Sequence, residues 1–418
     1  MPTAAIATLG CKVNQAESES IRSALAERGL SSVPFSEMAD VYVVNSCTVT
    51  SEADHKSRKM ARSALRANPN ALVVLAGCYA SEAKHRAASL PGEILLVPNE
   101  RKNEIADLVA KRLRLDGTPA ALDPSPERTR TRAMIKVQDG CDTGCSYCVV
   151  PLARGAPRSR PASEVVAEAR RLAEDGVAEV VLTGTNLGRY DADGLDVAAL
   201  ARQVLETGIA RLRLSSIEPQ DVSSELLRLL GDEERVCPHL HVPLQSGSDA
   251  VLSRMVRTYS AEDYLGVAGR LHAARPRLAL TTDVMVGFPG ESERDLDATA
   301  DLLEGIAPLK SHVFKYSSRP RTRAEGLPDQ IDAKTKTTRA DRIRGLDATL
   351  GARFVERLVG EEFDVLVERV QDGWASGVAA NYVRCFFKGD DAQKGTIVRI
   401  TAMRARGRAL VGEQLCEE

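Results

Sequence analysis

Short runs of continuously apolar residues alternate with amphipathic helical patterns along most of this chain. Within the first 114 residues the apolar runs and helical patterns are, in order, Ala5–Leu9, Glu17–Arg28, Val41–Asn45, Asp54–Ala67 and Leu72–Ala76. Apolar strands separated by helices form a parallel sheet that is covered on both faces. The pattern therefore predicts an N-terminal parallel α/β domain over residues 1–114.

A break at residues 115–130 separates this block from a second one. The stretch from Asp116 to Arg130 contains three prolines and no apolar period, which is typical of a linker. Six further strands alternate with helices: Met134–Gln138, Val180–Thr183, Leu212–Ser216, His239–Gln245, Ala279–Val286 and His312–Tyr316. Six strands are too few for a closed eight-stranded barrel, so residues 131–354 are expected to form a partial (β/α)6 barrel.

The pattern changes after a helical segment at Ala333–Leu358. Short β-runs with glycines between them follow, at Phe363–Glu368, Gly377–Ala379, Val383–Phe387 and Ile397–Ala402. Short strands separated by glycine-containing turns are typical of small β-barrels. We therefore expect an all-β barrel over residues 355–418.

The charge balance limits how the protein could bind a polyanion. Its 418 residues include 56 Lys and Arg against 58 Asp and Glu, a formal net charge of −2. This excludes a uniformly basic nucleic-acid binder, so any polyanion must be held by local basic patches. The first ten residues resemble no leader peptide and no apolar run near them could span a bilayer, which predicts a cytoplasmic protein without membrane contact.

Three of the nine cysteines directly follow the three N-terminal apolar runs: Cys11, Cys47 and Cys78, here called the auxiliary cysteines. An odd number of cysteines in a long chain favours metal ligands or buried thiols over disulfides. Ligands of open parallel sheets gather at the carboxyl ends of the strands, so the three thiolates are expected at one edge. The alternative for each cysteine is a small buried core residue.

A second set of three cysteines, Cys141, Cys145 and Cys148, lies on one loop after a predicted strand. Three thiolates at this spacing, with Gly140 and Gly144 allowing the backbone to bend, can hold three corners of a cubane iron–sulfur cluster. The fourth iron then keeps an open position for a substrate. A zinc knuckle is the alternative, although zinc sites normally use two Cys-x2-Cys pairs.

This loop, with Tyr147 before its last cysteine, resembles the signature of radical S-adenosylmethionine enzymes. Further segments resemble the methylthiotransferase family within that superfamily and extend over nearly the whole chain: Thr8–Gln15, Val44–Thr50, Gly77–Ala80, Lys136–Cys141, Arg154–Arg160, Thr183–Gly188, Leu214–Pro219, His241–Ser248 and Asp283–Glu291. The last segment of the chain resembles the TRAM domain of that family, which is an RNA-binding β-barrel.

The resemblance implies two iron–sulfur clusters, expected to be of the 4Fe–4S type, together with S-adenosylmethionine. The loop of Cys141, Cys145 and Cys148, here called the SAM-cluster loop, would hold the cluster that cleaves S-adenosylmethionine to a 5′-deoxyadenosyl radical. The auxiliary cysteines would hold the cluster whose sulfur is methylated by a first S-adenosylmethionine. A second S-adenosylmethionine would yield the radical that abstracts hydrogen from the substrate carbon.

Polar residues at the carboxyl ends of the barrel strands are expected to bind S-adenosylmethionine: Thr183, Gly184, Asn186, Ser216, Glu218, Gln245, Ser246 and Gly287, with Tyr147 near the adenine. Residues of these types also occur in ordinary loops at strand ends, which is the alternative for each of them.

Basic residues in three places are candidates for RNA phosphate contacts. Five of them, with no acidic residue between, lie near the C-terminus: Lys394, Arg399, Arg404, Arg406 and Arg408. The others follow the two cysteine sets: Arg58, Arg154, Arg158 and Arg160. Phosphate contacts would position RNA without reading its sequence, and a solvated charged surface is the alternative.

The segment Thr8–Asn14 resembles the branch of the family that acts on N6-threonylcarbamoyladenosine 37, which implies the anticodon stem-loop of tRNA as the partner. The expected reaction inserts a methylthio group at C2 of that nucleoside. Alternatives are N6-isopentenyladenosine 37 of tRNA, an aspartate of a ribosomal protein and, in another class, a nonenzymatic iron–sulfur RNA-binding protein. An electron donor such as flavodoxin or ferredoxin is implied, and a monomer is expected.

Three cysteines fall outside both sets. We expect Cys237 and Cys385 to be core thiols and Cys416 a core thiol or tail residue. Trp374 either stacks on a base or packs in the β-barrel. One departure from the family pattern is Arg321, which stands where glycine is usual and puts an equivalent tight turn there in question.

Overall fold

The computed structural model describes residues 1–82, 94–115 and 131–415. The predicted linker lies outside them, apart from Leu115, and so does Cys416. Two compact units are distinguished within the chain: unit 1 comprises residues 1–129, 139–158 and 317–325, and unit 2 comprises residues 130–138, 159–316 and 326–418. No helix in the described ranges is long and apolar enough to cross a membrane.

Unit 1 is built on a five-stranded parallel sheet with the strand order β2–β1–β3–β4–β5. Its elements are β1 Thr3–Thr8, α1 Lys12–Glu27, β2 Ser31–Val33, β3 Val41–Ser46, α2 Ser51–Ala67, β4 Leu72–Gly77, α3 Cys78–Glu82, β5 Ile94–Val97, α4 Ile105–Leu113 and, further along the chain, α5 Val150–Arg154. The predicted parallel α/β fold is confirmed.

Both faces of this sheet are covered by helices. Tyr42 and Val44 of β3 pack with α2 on one face, whereas Val41 and Val43 pack with α1 and α4 on the other. Alternate residues of a strand point to opposite faces, so a strand covered on both sides must be apolar at every position. This is why the strand patterns are continuous rather than alternating.

Unit 2 contains six parallel strands in the order β6–β8–β9–β10–β11–β12, with a parallel bridge from Ser216 to His241 joining β9 to β10. The elements of this part of the chain are β6 Arg132–Asp139, β7 Arg158–Ser159, α6 Ala162–Glu174, β8 Glu179–Gly184, α7 Val197–Leu205, β9 Arg211–Leu214, α8 Ser224–Asp232, β10 His239–His241, α9 Asp249–Arg254, α10 Ala261–Ala274, β11 Ala279–Val286, α11 Glu293–Ile306, β12 Lys310–Lys315 and α12 Ala333–Glu356. The predicted six-stranded partial barrel is confirmed.

Two of these strands are shorter than the sequence pattern predicts. The apolar runs Leu212–Ser216 and His239–Gln245 correspond to the strands β9 and β10, which end at Leu214 and His241. Beyond His241 the chain contains Pro243, which has no N–H for the ladder, and Gln245 adopts a φ of +68°. The backbone therefore leaves the regular strand conformation at this point.

The C-terminal residues of unit 2 form a closed five-stranded barrel in the order β13–β14–β15–β17–β16, because β13 also pairs with β16. Its strands are β13 Glu362–Gln371, β14 Trp374–Ala379, β15 Arg384–Lys388, β16 Ile397–Arg406 and β17 Ala409–Gln414. The predicted all-β barrel is confirmed. The apolar pattern missed β17, whose second half is polar.

Buried arginines of β9 join this β-barrel to the α/β barrel of unit 2. Arg211 and Arg213 both bond to the carboxylate of Glu179, at 2.7 and 2.8 Å. They also donate to the carbonyl oxygens of Asp364 at 2.9 Å and Ala380 at 3.0 Å in the β-barrel. Their charge is thus neutralised on one side while their remaining donors fix the β-barrel on the other.

Candidate functional site

The auxiliary cysteines lie where the three central strands of the unit 1 sheet end. Thr8, Asn45 and Ala76 are aligned across β1, β3 and β4, and a cysteine follows each of them within three residues. Cys11 caps the start of α1 and is exposed, whereas Cys47 and Cys78 are buried. The sheet therefore brings the three thiols to one edge, where the sequence predicted them.

Two glycines allow these strand ends to approach one another. Gly10 has a φ of +98°, and a Cβ atom there would lie 3.0 Å from the sulfur of Cys47. Gly77 has a φ of +96°, and its Cβ would lie 2.7 Å from the carbonyl oxygen of Ser46. Glycine is required at both positions because a side chain would be strained and would collide with its neighbour.

Two asparagines, which the sequence analysis did not assign, hold the backbone that precedes two of the auxiliary cysteines. The Nδ2 atom of Asn14 donates to the carbonyl oxygens of Leu9 at 2.6 Å and Ser46 at 3.0 Å. Asn45 Nδ2 donates in turn to the carbonyl oxygen of Asn14 at 2.8 Å. The residues before Cys11 and Cys47 are therefore held by a single side chain.

Burial disfavours the charged form of an auxiliary thiol. Burial, with smaller contributions from Cys78 and Cys11, raises the pKa of Cys47 to about 11. A buried thiol of this kind becomes a thiolate when a metal neutralises its charge. The Nδ2 atom of Asn99 lies 3.5 Å from the sulfur of Cys78 and donates a hydrogen bond to it. Asn99 follows β5, a strand that the sequence pattern missed.

Buried cations lie beside the same cysteines. Lys102 bonds to the carboxylate of Glu17, and Arg154 bonds to Glu17 at 3.1 Å. Burial lowers the pKa of Lys102, although Glu17 attracts its charge. For Arg154 the effect of burial is outweighed by attraction from Cys78, Glu17, Asp139 and Cys11, which raises its pKa. Positive charge is therefore available where a cluster with three thiolates would add negative charge.

The SAM-cluster loop is held in a tight turn by its own backbone. The amide of Cys148 donates to the carbonyl oxygen of Cys145 at 3.1 Å, and that of Cys141 donates to Gly155 at 3.1 Å. Gly140 has a φ of +78°, and a Cβ atom there would lie 2.1 Å from the carbonyl oxygen of Ala156. Cys141, Cys145 and Cys148 are partly exposed and form no disulfide within the described residues.

Both cysteine sets belong to unit 1. The sequence pattern did not indicate this, because the SAM-cluster loop follows the first strand of the α/β barrel. Residues 139–158 nevertheless pack with the N-terminal sheet, as do residues 317–325. The two candidate cluster sites are therefore parts of one compact body.

The positions of the side chains can be compared with the needs of a single bound metal ion. Within the described ranges, no three His, Cys, Asp or Glu side chains lie close enough to bind one metal ion. Three thiolates on one tetrahedral zinc would be about 3.8 Å apart, given a Zn–S distance of about 2.3 Å. A cubane cluster binds each thiolate at a separate iron, so its thiolates lie further apart than those of a single zinc ion.

A tight turn is present at Arg321, although glycine is usual at this position in the family. Arg321 itself adopts a φ of +68°, and the turn is present at Pro320 and Arg321. Its amide donates to Glu325 at 3.0 Å, and its guanidinium pairs with Glu82 at 3.1 Å. These bonds hold a non-glycine residue in a conformation that glycine usually supplies.

The residues predicted to bind S-adenosylmethionine are divided between the units. Tyr147 belongs to unit 1, and the strand-end residues belong to unit 2. Thr183 and Gly184 end β8, and the amide of Asn186 donates to Gln138 at 2.8 Å. Across the described residues, the Oδ1 atom of Asn186 is buried without a hydrogen-bond partner.

The remaining candidates on unit 2 lie on the following strand ends and loops. Ser216 bridges to His241 at the end of β9, and Gln245 bridges to β11. Gly287 directly follows β11 and has a φ of +71°. Its amide donates to Glu291 at 2.7 Å. Thr183, Asn186, Ser216, Gln245 and Gly287 thus share the carboxyl ends of the parallel strands.

Two predicted cofactor contacts, Ser246 and Glu218, already form hydrogen bonds within the protein. The hydroxyl of Ser246 is buried, accepts a hydrogen bond from the amide of Ser248 at 3.2 Å and contacts the Thr299 hydroxyl at 3.3 Å. It is therefore used within the protein. The carboxylate of Glu218 is bonded to Arg257, and burial raises its pKa. Each group therefore already has a partner within the protein.

The candidate RNA contacts of the cysteine regions differ in exposure. Arg154 is wrong as a phosphate contact, because its guanidinium is buried and its charge is neutralised by Glu17 and Asp139. Arg158 is exposed. Arg160 is half-buried and pairs with Glu168 at 2.8 Å. Arg58 donates to the hydroxyl of Tyr79 at 3.2 Å and lies over its ring.

The basic residues of the β-barrel also differ. Lys394, Arg404 and Arg406 are exposed and have no ion-pair partner in residues 1–82, 94–115 and 131–415. Arg399 is exposed but pairs with Asp364 at 3.0 Å. Arg408 is half-buried and pairs with Asp347 of α12, so it supports the fold rather than offering a free charge.

The exposure of Trp374, Cys237 and Cys385 distinguishes between the roles predicted for them. Trp374 is 41% exposed at the start of β14, with Lys388 Nζ 4.3 Å from its ring centroid. It is therefore a surface residue that could stack on a base. Cys237 and Cys385 are buried core thiols, as predicted, and burial raises the pKa of Cys237 to about 11.

Two family profiles match the chain. Residues 135–303 match the Radical SAM superfamily, and residues 3–97 match a family described as uncharacterized protein family UPF0004. The two matched segments correspond to most of the α/β barrel of unit 2 together with the SAM-cluster loop, and to the sheet of unit 1.

Relatives match over almost the full length. The chain is 35% identical to threonylcarbamoyladenosine tRNA methylthiotransferase MtaB of Bacillus subtilis, covering 97% of this chain and 94% of that protein. It is 36% identical to MtaB of Thermotoga maritima, over 97% and 96% of the two chains. It is 34% identical to the tRNA-2-methylthio-N(6)-dimethylallyladenosine synthase of Cereibacter sphaeroides, over 98% of each.

Solved structures with lower sequence identity share the fold. The radical S-adenosylmethionine methyltransferase TsrM from Kitasatospora setae, with cobalamin and a 4Fe–4S cluster bound, is similar with a TM-score of 0.56 and 16% identity, over 90% of this chain and 81% of that one. The cobalamin-dependent S-adenosylmethionine radical enzyme OxsB is similar with a TM-score of 0.51 and 12% identity, over 85% and 56%. These likenesses concern the fold alone.

Proposed function

Because the chain belongs to the methylthiotransferase family of radical S-adenosylmethionine enzymes, we propose that it inserts a methylthio group at C2 of N6-threonylcarbamoyladenosine 37 in tRNA. One observation carries this proposal: two sets of three cysteines, each able to leave one iron open, lie in the same compact unit. Relatives named for this reaction, which match almost the whole chain, support the choice of nucleoside.

The two cysteine sets would hold two 4Fe–4S clusters with different tasks. When bound, the clusters supply the electron that cleaves S-adenosylmethionine and the sulfur that is transferred. The SAM-cluster loop would hold the first with Cys141, Cys145 and Cys148, and the auxiliary cysteines would hold the second. Asn99 would donate a hydrogen bond to the sulfur of Cys78 in that second site.

S-adenosylmethionine would be bound by the polar strand ends of the α/β barrel. We retain Thr183, Gly184, Asn186, Ser216, Gln245 and Gly287 as its contacts, with Tyr147 near the adenine. Asn186 has the strongest support among them, because its buried Oδ1 atom has no partner in the described chain and could accept a hydrogen bond from the cofactor.

The tRNA would be held by basic residues at the surface. Arg404 and Arg406 on β16, with Lys394, offer free charges on the β-barrel, and Arg58 and Arg158 are further contacts on unit 1. Trp374 would add a stacking surface. A tRNA-modifying enzyme of this kind would work in the cytoplasm, and an electron donor such as flavodoxin or ferredoxin and a monomeric state remain our expectations.

A direct assay tests the proposed reaction. Reconstituted protein is incubated anaerobically with dithionite, S-adenosylmethionine and, in parallel reactions, tRNA that carries unmethylthiolated N6-threonylcarbamoyladenosine or N6-isopentenyladenosine. Mass spectrometry should detect its 2-methylthio derivative together with 5′-deoxyadenosine and methionine. Product on N6-isopentenyladenosine alone would move the assignment to the other tRNA branch. Absence of 5′-deoxyadenosine from fully loaded protein would leave a nonenzymatic RNA-binding protein.

Single cysteine variants test the division of tasks. Cys145→Ala should abolish 5′-deoxyadenosine formation, because it removes a ligand of the cluster that cleaves S-adenosylmethionine. Cys47→Ala should leave that cleavage intact and stop methylthiolation. Cys237→Ala, which changes a core thiol, is the matched control and should retain both. Equal loss of cleavage in the first two variants would contradict the assignment.

A further inference from the structure

Arg154 contacts the segments that carry both cysteine sets, although it was expected at the surface. Its Nη1 atom donates to Asp139 Oδ1 at 2.7 Å. The same carboxylate oxygen accepts the amide of Gly140 at 2.9 Å, immediately before Cys141. Asp139 therefore links the guanidinium of Arg154 to the start of the SAM-cluster loop.

On its other side, Arg154 reaches the auxiliary cysteines. Its Nη2 atom donates to Asn14 Oδ1 at 2.5 Å. Asn14 is the residue whose amide group holds the carbonyl oxygens of Leu9 and Ser46, which precede Cys11 and Cys47. A single planar guanidinium thus spans both cysteine sets, with one side chain between it and each of them.

The charges around Arg154 are balanced and excluded from water. Arg154 and Lys102 face Glu17 and Asp139, so two cations meet two carboxylates. Between 3 and 11% of each of these four side chains is exposed. Buried ion pairs with excellent hydrogen-bond geometry define one arrangement sharply, because each charge is costly to leave unpaired.

The segment 317–325 forms a second, independent connection. Arg319 Nη2 donates to Thr48 Oγ1 at 2.9 Å and pairs with Asp54 at 2.7 Å, next to Cys47. Five residues later, Ala324 donates its amide to the carbonyl oxygen of Ser146 at 2.8 Å. Arg323 donates to the carbonyl oxygen of Gly144. The segment 317–325 therefore contacts residues next to both cysteine sets.

We propose that Arg154 and Arg319 are positioning residues that fix the separation between the two cluster sites. The inference rests on the proposed function, in which both sites must serve one substrate carbon. A displacement of about 1 Å between reacting groups can cost on the order of a hundredfold in rate. Loosening either connection should therefore lower the transfer of the methylthio group without preventing cleavage of S-adenosylmethionine.

Arg154→Gln and Arg319→Gln test this directly. Both proteins should load two clusters and form 5′-deoxyadenosine at a rate within about twofold of the parent. The yield of methylthio product per 5′-deoxyadenosine should fall by at least about tenfold. Pulsed electron paramagnetic resonance between the two reduced clusters should show a broader distance distribution. Arg319→Lys, which keeps the charge but not the planar guanidinium, should restore part of the yield.

Arg28→Gln is the matched control, because it also removes an arginine ion pair in unit 1, at the surface with Asp107. It should change neither the yield nor the distance distribution. If the buried variants fail to fold, Arg323→Gln serves instead, since its side chain is exposed and donates to the loop carbonyl of Gly144. It should broaden the distribution in the same direction.

The outcomes separate this inference from the proposed function. An unchanged yield together with an unchanged distance distribution in the loaded variants would overturn the positioning role. A parent protein that cleaves S-adenosylmethionine but never methylthiolates tRNA would overturn the proposed function instead, while the distance measurement would still decide whether Arg154 and Arg319 set the separation.

Discussion

Replacing Glu179 with Gln should weaken the attachment of the β-barrel to the α/β barrel. Glu179 is fully buried at the start of β8 and bonds to Arg211 and Arg213 at 2.7 and 2.8 Å. A third guanidinium, that of Arg132, lies 3.7 Å away. The substitution keeps the shape of the side chain but leaves these arginines without their shared carboxylate.

The pKa of Glu179 gives the size of the effect. Burial by itself would raise this pKa, but Arg213 and Arg211 lower it from 4.5 to about 2. That difference corresponds to about 3 kcal/mol of stabilisation at neutral pH, which agrees with the roughly 3–5 kcal/mol lost when a buried ion pair is broken. Because the folded pKa is the lower one, this stabilisation is present above pH 4.5 and disappears as the pH falls towards 2.

Thermal unfolding followed by the fluorescence of Trp374, the single tryptophan of the chain, measures the loss. At pH 7 the midpoint of Glu179→Gln should lie about 6–12 °C below that of the parent. The difference should narrow as the pH is lowered from 4.5 to 3. Glu225→Gln removes an exposed carboxylate that bonds to Arg228 and should leave the midpoint unchanged. A difference of less than about 2 °C at pH 7, or one that is constant with pH, would refute the reasoning.

Two further predictions concern binding. Arg404→Gln and Arg406→Gln should each weaken tRNA binding and lower the slope of log affinity against log salt by about 1. Arg408→Gln should lower stability more than affinity, because the charge of Arg408 is already paired. Equal losses of affinity in all three variants, measured by filter binding over a salt series, would argue against the assignment. Gly287→Ala should weaken binding of S-adenosylmethionine at least about fivefold in equilibrium dialysis, because its Cβ would meet a lysine side chain at 2.3 Å. Gly290→Ala, at a similar φ with 3.5 Å to its nearest neighbour, is the control, and equal affinities of the two variants would count against a cofactor contact at Gly287.

The auxiliary cysteines could be located from the sequence because local patterns determine where they lie. Each one ends a continuous apolar run, and parallel strands bring such ends to one edge. The glycines beside them carried a further signal, since Gly10 and Gly77 are both needed for close approach. The six strands of the α/β barrel and the β-barrel could be predicted for the same reason, because strand periodicity is a local property.

Arg154 shows what the sequence could not reveal. It follows a cysteine loop and precedes two other arginines, which is the pattern of a basic surface. Its neutralising partner Glu17 lies 137 residues earlier in the chain, so no local sequence pattern predicts this ion pair. The same limit explains why the packing of residues 139–158 and 317–325 with the N-terminal sheet was not predicted.

Ser246 and Glu218 illustrate a related limit at the strand ends. Both have the residue type and position of cofactor contacts, but Thr299 and Arg257 engage their polar atoms from elements far along the chain. A strand-end pattern identifies which residues reach the edge of a sheet. It does not identify which of them remain free to bind a ligand.

Iron content measured together with Mössbauer spectra tests the central claim most directly, namely that each cysteine set holds a cluster with one open iron. The parent should bind about eight irons per chain, and about four should remain after either all three auxiliary cysteines or all three cysteines of the SAM-cluster loop are changed to Ala. Adding S-adenosylmethionine should change the Mössbauer signal of one iron in the variant that keeps the SAM-cluster loop. It should change no iron signal in the variant that keeps only the auxiliary cysteines. Four irons in the parent, or a response to S-adenosylmethionine in both variants, would contradict the account.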